Sequence, residues 1–196
     1  GQTHVRVTNQ IFPQAICIPM SREMTITQWH VPIDDENCYW FSMFTSYVAP
    51  VDKDRMRAQR LQEHSLPDYA PLKNAANNYG YNADEQESET YTGMGLDINV
   101  HDQWAVESMG AIQDRTQEHL GKTDGAIIRY RRMLRAAISA VKEGRDEALL
   151  MQNALDVATL YGPVSNDAIA KDGDWTKATA ESDAERREAC PWDATV

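Results

Sequence analysis

"DINVHDQWAVESMGAIQDRTQEHLG", residues 97–121, opens with the pattern of a strand and continues with that of a helix. His101 and Asp102 stand at the changeover. An aspartate at a helix start accepts the free backbone N–H groups there and suits the helix dipole. The same carboxylate can hold a metal ion. From a start near Asp102, the expected buried positions are Trp104, Ala105, Met109 and Ile112, and Gly121 is the expected stop.

Toward the C-terminus, Thr123 reads as the N-cap of a second helix that runs to about Glu143, before Gly144. Its apolar positions Ile127, Tyr130, Leu134, Ala137, Ile138 and Val141 follow the 3-and-4 spacing of a one-sided helix, and "RYRRMLR" supplies a solvated face. A short helix is expected near 145–160, and a polar, acidic surface tail from about Gly162. Toward the N-terminus, residues 52–92 read as one short helix followed by a long loop. Its four tyrosines, Tyr69, Tyr79, Tyr81 and Tyr91, predict an ordered loop. "MTITQWHV" (24–31) and "CYWFSMFTSYV" (38–48) predict an antiparallel hairpin joined by "PIDDEN". Bulky groups on both faces of the second strand predict cover on both sides. Residues 4–20 add one or two strands kinked at Pro13. Strands, a long loop, then helices make an α+β protein: an antiparallel sheet packed on a long helix. Residues 1–145 form its main part, and 146–196 a helix and tail.

The composition excludes several functions. A net charge of −11 disfavours a nucleic-acid backbone as partner. No apolar run reaches the roughly 18–20 residues of a membrane span, and no signal peptide is visible. Cys17, Cys38 and Cys190 form no C-x-x-C, which fits a reducing cytoplasm and predicts neither a disulfide framework nor a zinc or iron–sulfur site. The five histidines form no H-x-H, H-x3-H or H-x4-H pair. There is no P-loop and no G-x-G-x-x-G. The chain opens on "GQTHVRVTNQ", without Met and almost inside a strand, so a piece of a longer protein is expected.

Five blocks, in order, carry a further signal: "VRVTNQIFP" (5–13), "WHVPIDDENCYWF" (29–41), "NNYGY" (77–81), "YTGMGLDINVHDQWAVESMG" (91–110), and "DRTQEHLG" followed by "TDGAII" (114–128). Together they resemble the C-terminal part of the catalytic domain of Rieske non-haem iron ring-hydroxylating oxygenases, in the phthalate dioxygenase-like group. Ala111 and Gln117 depart from the family pattern, at positions without a ligand role.

The resemblance implies a helix-grip fold, here as a partial domain. It implies one mononuclear Fe(II) held by two histidines and a carboxylate, with the carboxylate at Asp102. On the residues alone, a cap is the ordinary role for Asp102; with the resemblance, the ligand role is favoured. The family's D-x2-H-x4-H histidines and its Rieske [2Fe–2S] motif are absent from this sequence and are expected before residue 1, so the isolated chain is expected to be inactive. The resemblance further implies an aromatic, carboxylated substrate that is ring-hydroxylated or cleaved at an aryl ether, O₂, electrons from NAD(P)H through a reductase or ferredoxin, and a homotrimer or a multiple of one. Arg6 is a candidate clamp for a substrate carboxylate, or an exposed strand arginine. Asn99 and His101 are candidates for orienting Asp102 or lining the pocket, or have structural roles. A rival reading makes the chain a non-catalytic helix-grip module for a hydrophobic small molecule, with Asp102 as a cap.

Overall fold

The computed structural model describes residues 1–145, 164–171 and 173–191. The chain divides into two compact units, one of Gly1–Pro32, Cys38–Ala49 and Glu118–Val196, the other of Ile33–Asn37 and Pro50–Gln117.

The first unit is built on antiparallel pairing. Strands β2 (Asn9–Ile11), β3 (Ala15–Pro19), β4 (Met24–Pro32) and β5 (Cys38–Ser46) form one sheet in that order. The turn between β2 and β3 contains Pro13, which has no N–H for a ladder. The predicted hairpin is present, with β4 and β5 in register from Met24↔Ser46 to Pro32↔Cys38. Its connection closes on Asp34, whose carboxylate accepts the backbone N–H of Glu36 (2.8 Å) and Asn37 (2.7 Å). These bonds hold the Asp34 carboxyl below its usual range, with Glu36 the largest cause.

β5 departs from expectation. As the edge strand it carries Tyr39, Phe41 and Met43 on one face, all exposed, while Trp40 and Phe44 on the other are half-buried. β1 (Gln2–Val7) leaves this sheet and pairs antiparallel with β8 (Asn166–Lys171), near the other end of the chain.

The surface tail expected from Gly162 is corrected by β8 and by the helix that follows it, α5 (Trp175–Glu188). In β8, Asn166, Ala168 and Ala170 alternate inward, and α5 packs on the strand. Ser165 ties the start of β8 to the larger sheet, its hydroxyl meeting the Asn9 side chain (3.0 Å) and the Cys17 carbonyl (2.6 Å). The buried positions of α5 are Thr179, Ser182, Asp183 and Arg186, a polar set at 3-and-4 spacing. Asp183 accepts two hydrogen bonds from Arg186 (2.6 and 2.9 Å) and one from Arg187 (2.8 Å). The Arg186 guanidinium lies 4.3 Å over the Tyr47 ring. A buried face of this kind lacks the apolar period by which a sequence announces a core helix.

Helix α4 (Gly125–Lys142) confirms the predicted long helix but not its cap: a 3-10 turn, Lys122–Asp124, precedes it, and Asp124 accepts the Gly121 N–H at 2.7 Å. Tyr130 fixes α4 against the β2–β3 turn, its hydroxyl donating to the Pro13 carbonyl and its ring meeting Phe12 edge-on at 6.4 Å. Arg131 grips Glu118 through two hydrogen bonds, of 2.5 and 2.8 Å. Ile127, Ile138 and Val141 are exposed. The helix expected near 145–160 falls almost wholly on residues 146–163, which lie outside the described residues.

The second unit holds α1 (Lys53–Leu61), capped by Asp52; a short pairing of β6 (His64–Ser65) with β7 (Ala70–Pro71); a 3-10 segment Ala75–Gly80; α2 (Ala83–Ser88); and α3 (Ile98–Glu107). Its buried apolar cluster is Tyr79, Met94 and Val100. Of the four loop tyrosines only Tyr79 is buried; Tyr69, Tyr81 and Tyr91 are exposed.

A candidate carboxylate mount on helix α3

The structure moves the start of the decisive helix. Ile98, Asn99 and Val100, read as strand, form the first turn of α3. The cap is Asp97, which accepts the Asn99 N–H at 3.0 Å. Asp102 therefore lies in the second turn, exposed and away from the cap position. The expected core residues Trp104, Met109 and Ile112 are exposed, and Val100 takes their place. Two β-branched residues, Ile98 and Val100, in alternation read as strand in isolation, but burying Val100 against Tyr79 and Met94 decides for helix.

Several contacts hold α3. At its N-terminus the largely buried Asp97 pairs with Arg60 at 3.0 Å. At its other end Glu107 accepts the Tyr79 hydroxyl at 2.8 Å and the Gln103 amide at 3.0 Å. The Tyr79 hydroxyl is pushed up to about 12, by burial first and then by Glu107, so it remains a donor throughout the neutral range. Tyr79 reaches this position on a left-handed backbone: Asn78, Tyr79 and Gly80 have φ of 52°, 56° and 66°. Tyrosine rarely adopts that conformation; burial of its ring and the bond to Glu107 offset the strain. "NNYGY" is thus a bracket for α3.

The loop before α3 is packed as tightly. Gly93 has a φ of +69°, and a Cβ there would stand 2.5 Å from the Asn82 carbonyl, so only glycine fits. The Glu85 carboxylate accepts the Gly95 N–H (2.7 Å) and the Thr90 hydroxyl (2.6 Å). These bonds, Thr90's first, lower its pKa. Lys73 donates to the Met94 carbonyl at 3.2 Å. His101 joins the same loop: its Nε2 lies 3.0 Å from the Gly95 carbonyl and 2.9 Å from the Thr92 hydroxyl. A carbonyl only accepts, so Nε2 carries the proton in the Gly95 bond.

The candidate residues are thus distributed. Asn99, His101 and Asp102 share α3, and His101 ties it to the preceding loop. Arg6 belongs to β1 in the other unit, where it donates to the Pro19 carbonyl. Among the described residues, no three His, Cys, Asp or Glu side chains gather into a group able to hold a metal ion. Asp102 is one carboxylate, and the described residues complete no iron site around it. Sequence reasoning missed Asp97, Tyr79 and Glu107. Asp97 had a signal, since it precedes "INV" as a cap would; the Tyr79–Glu107 bond had none.

Likeness to known proteins gives this mount its context. The chain is 26% identical over 146 residues to a phthalate 4,5-dioxygenase oxygenase subunit of Pseudomonas putida, a match covering 72% of this chain and 33% of that protein. This likeness, with a family match over residues 1–193, supports the Rieske-type oxygenases as the class. Residues 1–193 match the family model described as LigXa C-terminal domain like, and the chain belongs to that family. It spans about a third of the length of its Pseudomonas relative. No helix among the described residues is long and apolar enough to cross a membrane.

Proposed function

We propose that the chain is the C-terminal part of the oxygenase component of a Rieske-type aromatic oxygenase, and that Asp102 is the carboxylate ligand of its mononuclear Fe(II). The likeness to the phthalate 4,5-dioxygenase oxygenase subunit supports this reading, and Asp97 does the capping, so the cap role does not compete for Asp102. The two histidine ligands and the [2Fe–2S] cluster would come from preceding sequence, and the described residues would close into a helix-grip domain with it. When bound, the iron supplies O₂ activation, with NAD(P)H electrons arriving through a reductase or ferredoxin.

The chain's own part is to hold the carboxylate on a rigid helix. The substrate is an aromatic carboxylate, in keeping with the phthalate named for the Pseudomonas relative. Arg6 is its clamp: the guanidinium has five N–H donors, and the Pro19 carbonyl accepts one of them. The assembly is a homotrimer or a multiple, in the cytoplasm. In the rival ligand-carrier reading Asp102 has no metal role, and a cluster motif and histidine pair in preceding sequence distinguish the two readings.

The test is Asp102→Ala within the complete reading frame. Mononuclear iron should be lost while the cluster absorbance stays. Iron retained at the wild-type level would overturn the assignment.

A further inference from the structure

In the β1–β8 ladder Arg6 stands opposite Asp167, and His4 stands opposite Ile169. Residues two apart on a strand share a face, so Arg6, His4, Asp167 and Ile169 lie on one side of this two-stranded sheet. Directly opposed residues have Cβ atoms about 4.5–5.5 Å apart, and diagonal ones about 7–8 Å. Opposite charges placed directly across a ladder attract, so Asp167 is expected to pair with Arg6. It passes Arg6 over. The Asp167 carboxylate accepts from Nε2 of His4, its diagonal neighbour, while the Arg6 guanidinium donates to the Pro19 carbonyl. Among the described residues Arg6 and Asp167 form no ion pair. We propose, resting on the reading of Arg6 as the clamp for a substrate carboxylate, that His4 is a positioning residue: by occupying Asp167 it keeps that carboxylate off Arg6.

The chemistry of the three side chains favours such a device. The Pro19 carbonyl takes one N–H of the guanidinium and leaves the others for a ligand. A carboxylate from the protein itself would grip the same fork that a substrate carboxylate needs. His4 can hold Asp167 without competing for Arg6, because its ring nitrogen donates and the carboxylate only accepts. His4 and Arg6 are exposed and Asp167 is half-buried, so a ligand can reach the guanidinium. The effect is bounded by the strength of an exposed ion pair. Such a pair favours its closed form over its open form by about 1.4–5-fold. Only the open form binds a ligand, so losing His4 should weaken binding by about 2–6-fold.

The test uses the complete reading frame, with phthalate as the probe and its neutral diamide as the control, and reads affinity by titration calorimetry. His4→Ala should weaken phthalate about 2–6-fold and leave the diamide unchanged. His4→Gln keeps a donor for Asp167 and should bind phthalate like the wild type. Asp167→Asn added to His4→Ala removes the competing charge and should restore the affinity. Wild-type phthalate affinity in His4→Ala overturns the proposal, as does equal weakening of both probes or a double variant that stays weak. A crystal structure of the His4→Ala protein decides without any ligand. Arg6 and Asp167 should now pair; Arg6 still on the Pro19 carbonyl, with Asp167 apart from it, overturns the proposal. Arg6→Gln keeps the two claims apart: phthalate affinity unchanged there sinks the clamp reading, whatever the His4→Ala structure shows.

Discussion

Helices α4 and α5 belong to the same unit and reverse each other's promise. α4 has the clearer amphipathic pattern, yet Ile127, Ile138 and Val141 on it are exposed. α5 has little apolar pattern, yet Thr179, Ser182, Asp183 and Arg186 are buried against a two-stranded sheet. Periodicity reports that a segment is helical and which side is apolar; what covers that side depends on partners elsewhere in the chain. A polar face can be buried when its charges answer one another, as Asp183 does for Arg186 and Arg187.

The sharpest way to break this contrast is Asp183→Ala. It strands the buried Arg186 guanidinium and should cost about 3–5 kcal/mol, read from urea unfolding. A loss below about 1 kcal/mol, the level of a surface pair, would mean that the ion pair does not hold α5 down. In the second unit, Gly93→Ala sets a Cβ against the Asn82 carbonyl at a positive φ. It should cost about 1–3 kcal/mol, and hydrogen exchange at residues 90–95 should rise with it.

Acid offers a gentler probe. The Glu85 carboxyl titrates below its ordinary 4.5 in the folded chain. Its contribution is therefore complete above about pH 4.5 and is lost as pH falls through the lower folded value. Glu85→Gln should flatten the acid limb of a stability–pH curve; an unchanged limb would assign acid sensitivity elsewhere. The smallest effect belongs to α4: Ile138→Ala, at a position 51% exposed, should change stability by no more than about 0.5 kcal/mol. A larger loss in the complete reading frame would reveal a partner covering that face.

The same contrast explains what could be read in advance. The β4–β5 hairpin was legible because two β-rich runs flank a turn-forming joint. α4 was legible from its 3-and-4 spacing. Residues 166–188 were not, because Ala168, Ala170 and a polar helix face carry no hydrophobic signal. The boundary of α3 slipped because Asp97 directly precedes Ile98 and Asp102 stands two residues before Trp104, so both offer a cap, and only the burial of Val100 selects Asp97. Asp102 itself came into view through family likeness rather than spacing. Tyr79 and Glu107 are 28 residues apart and meet through a left-handed turn, a relation that no local pattern encodes.

The pairing of β1 with β8 also bears on synthesis of the protein. Val7 waits for Asn166, and Gln2 for Lys171. At the ribosome's pace of about 5–20 residues per second, the roughly 160 intervening residues take about 8–30 s to appear. During that interval the edge of β1 has no strand beside it, and such an edge can recruit a neighbouring nascent chain. Chaperone demand during translation should therefore fall on this first strand, and it should end when residue 171 clears the exit tunnel.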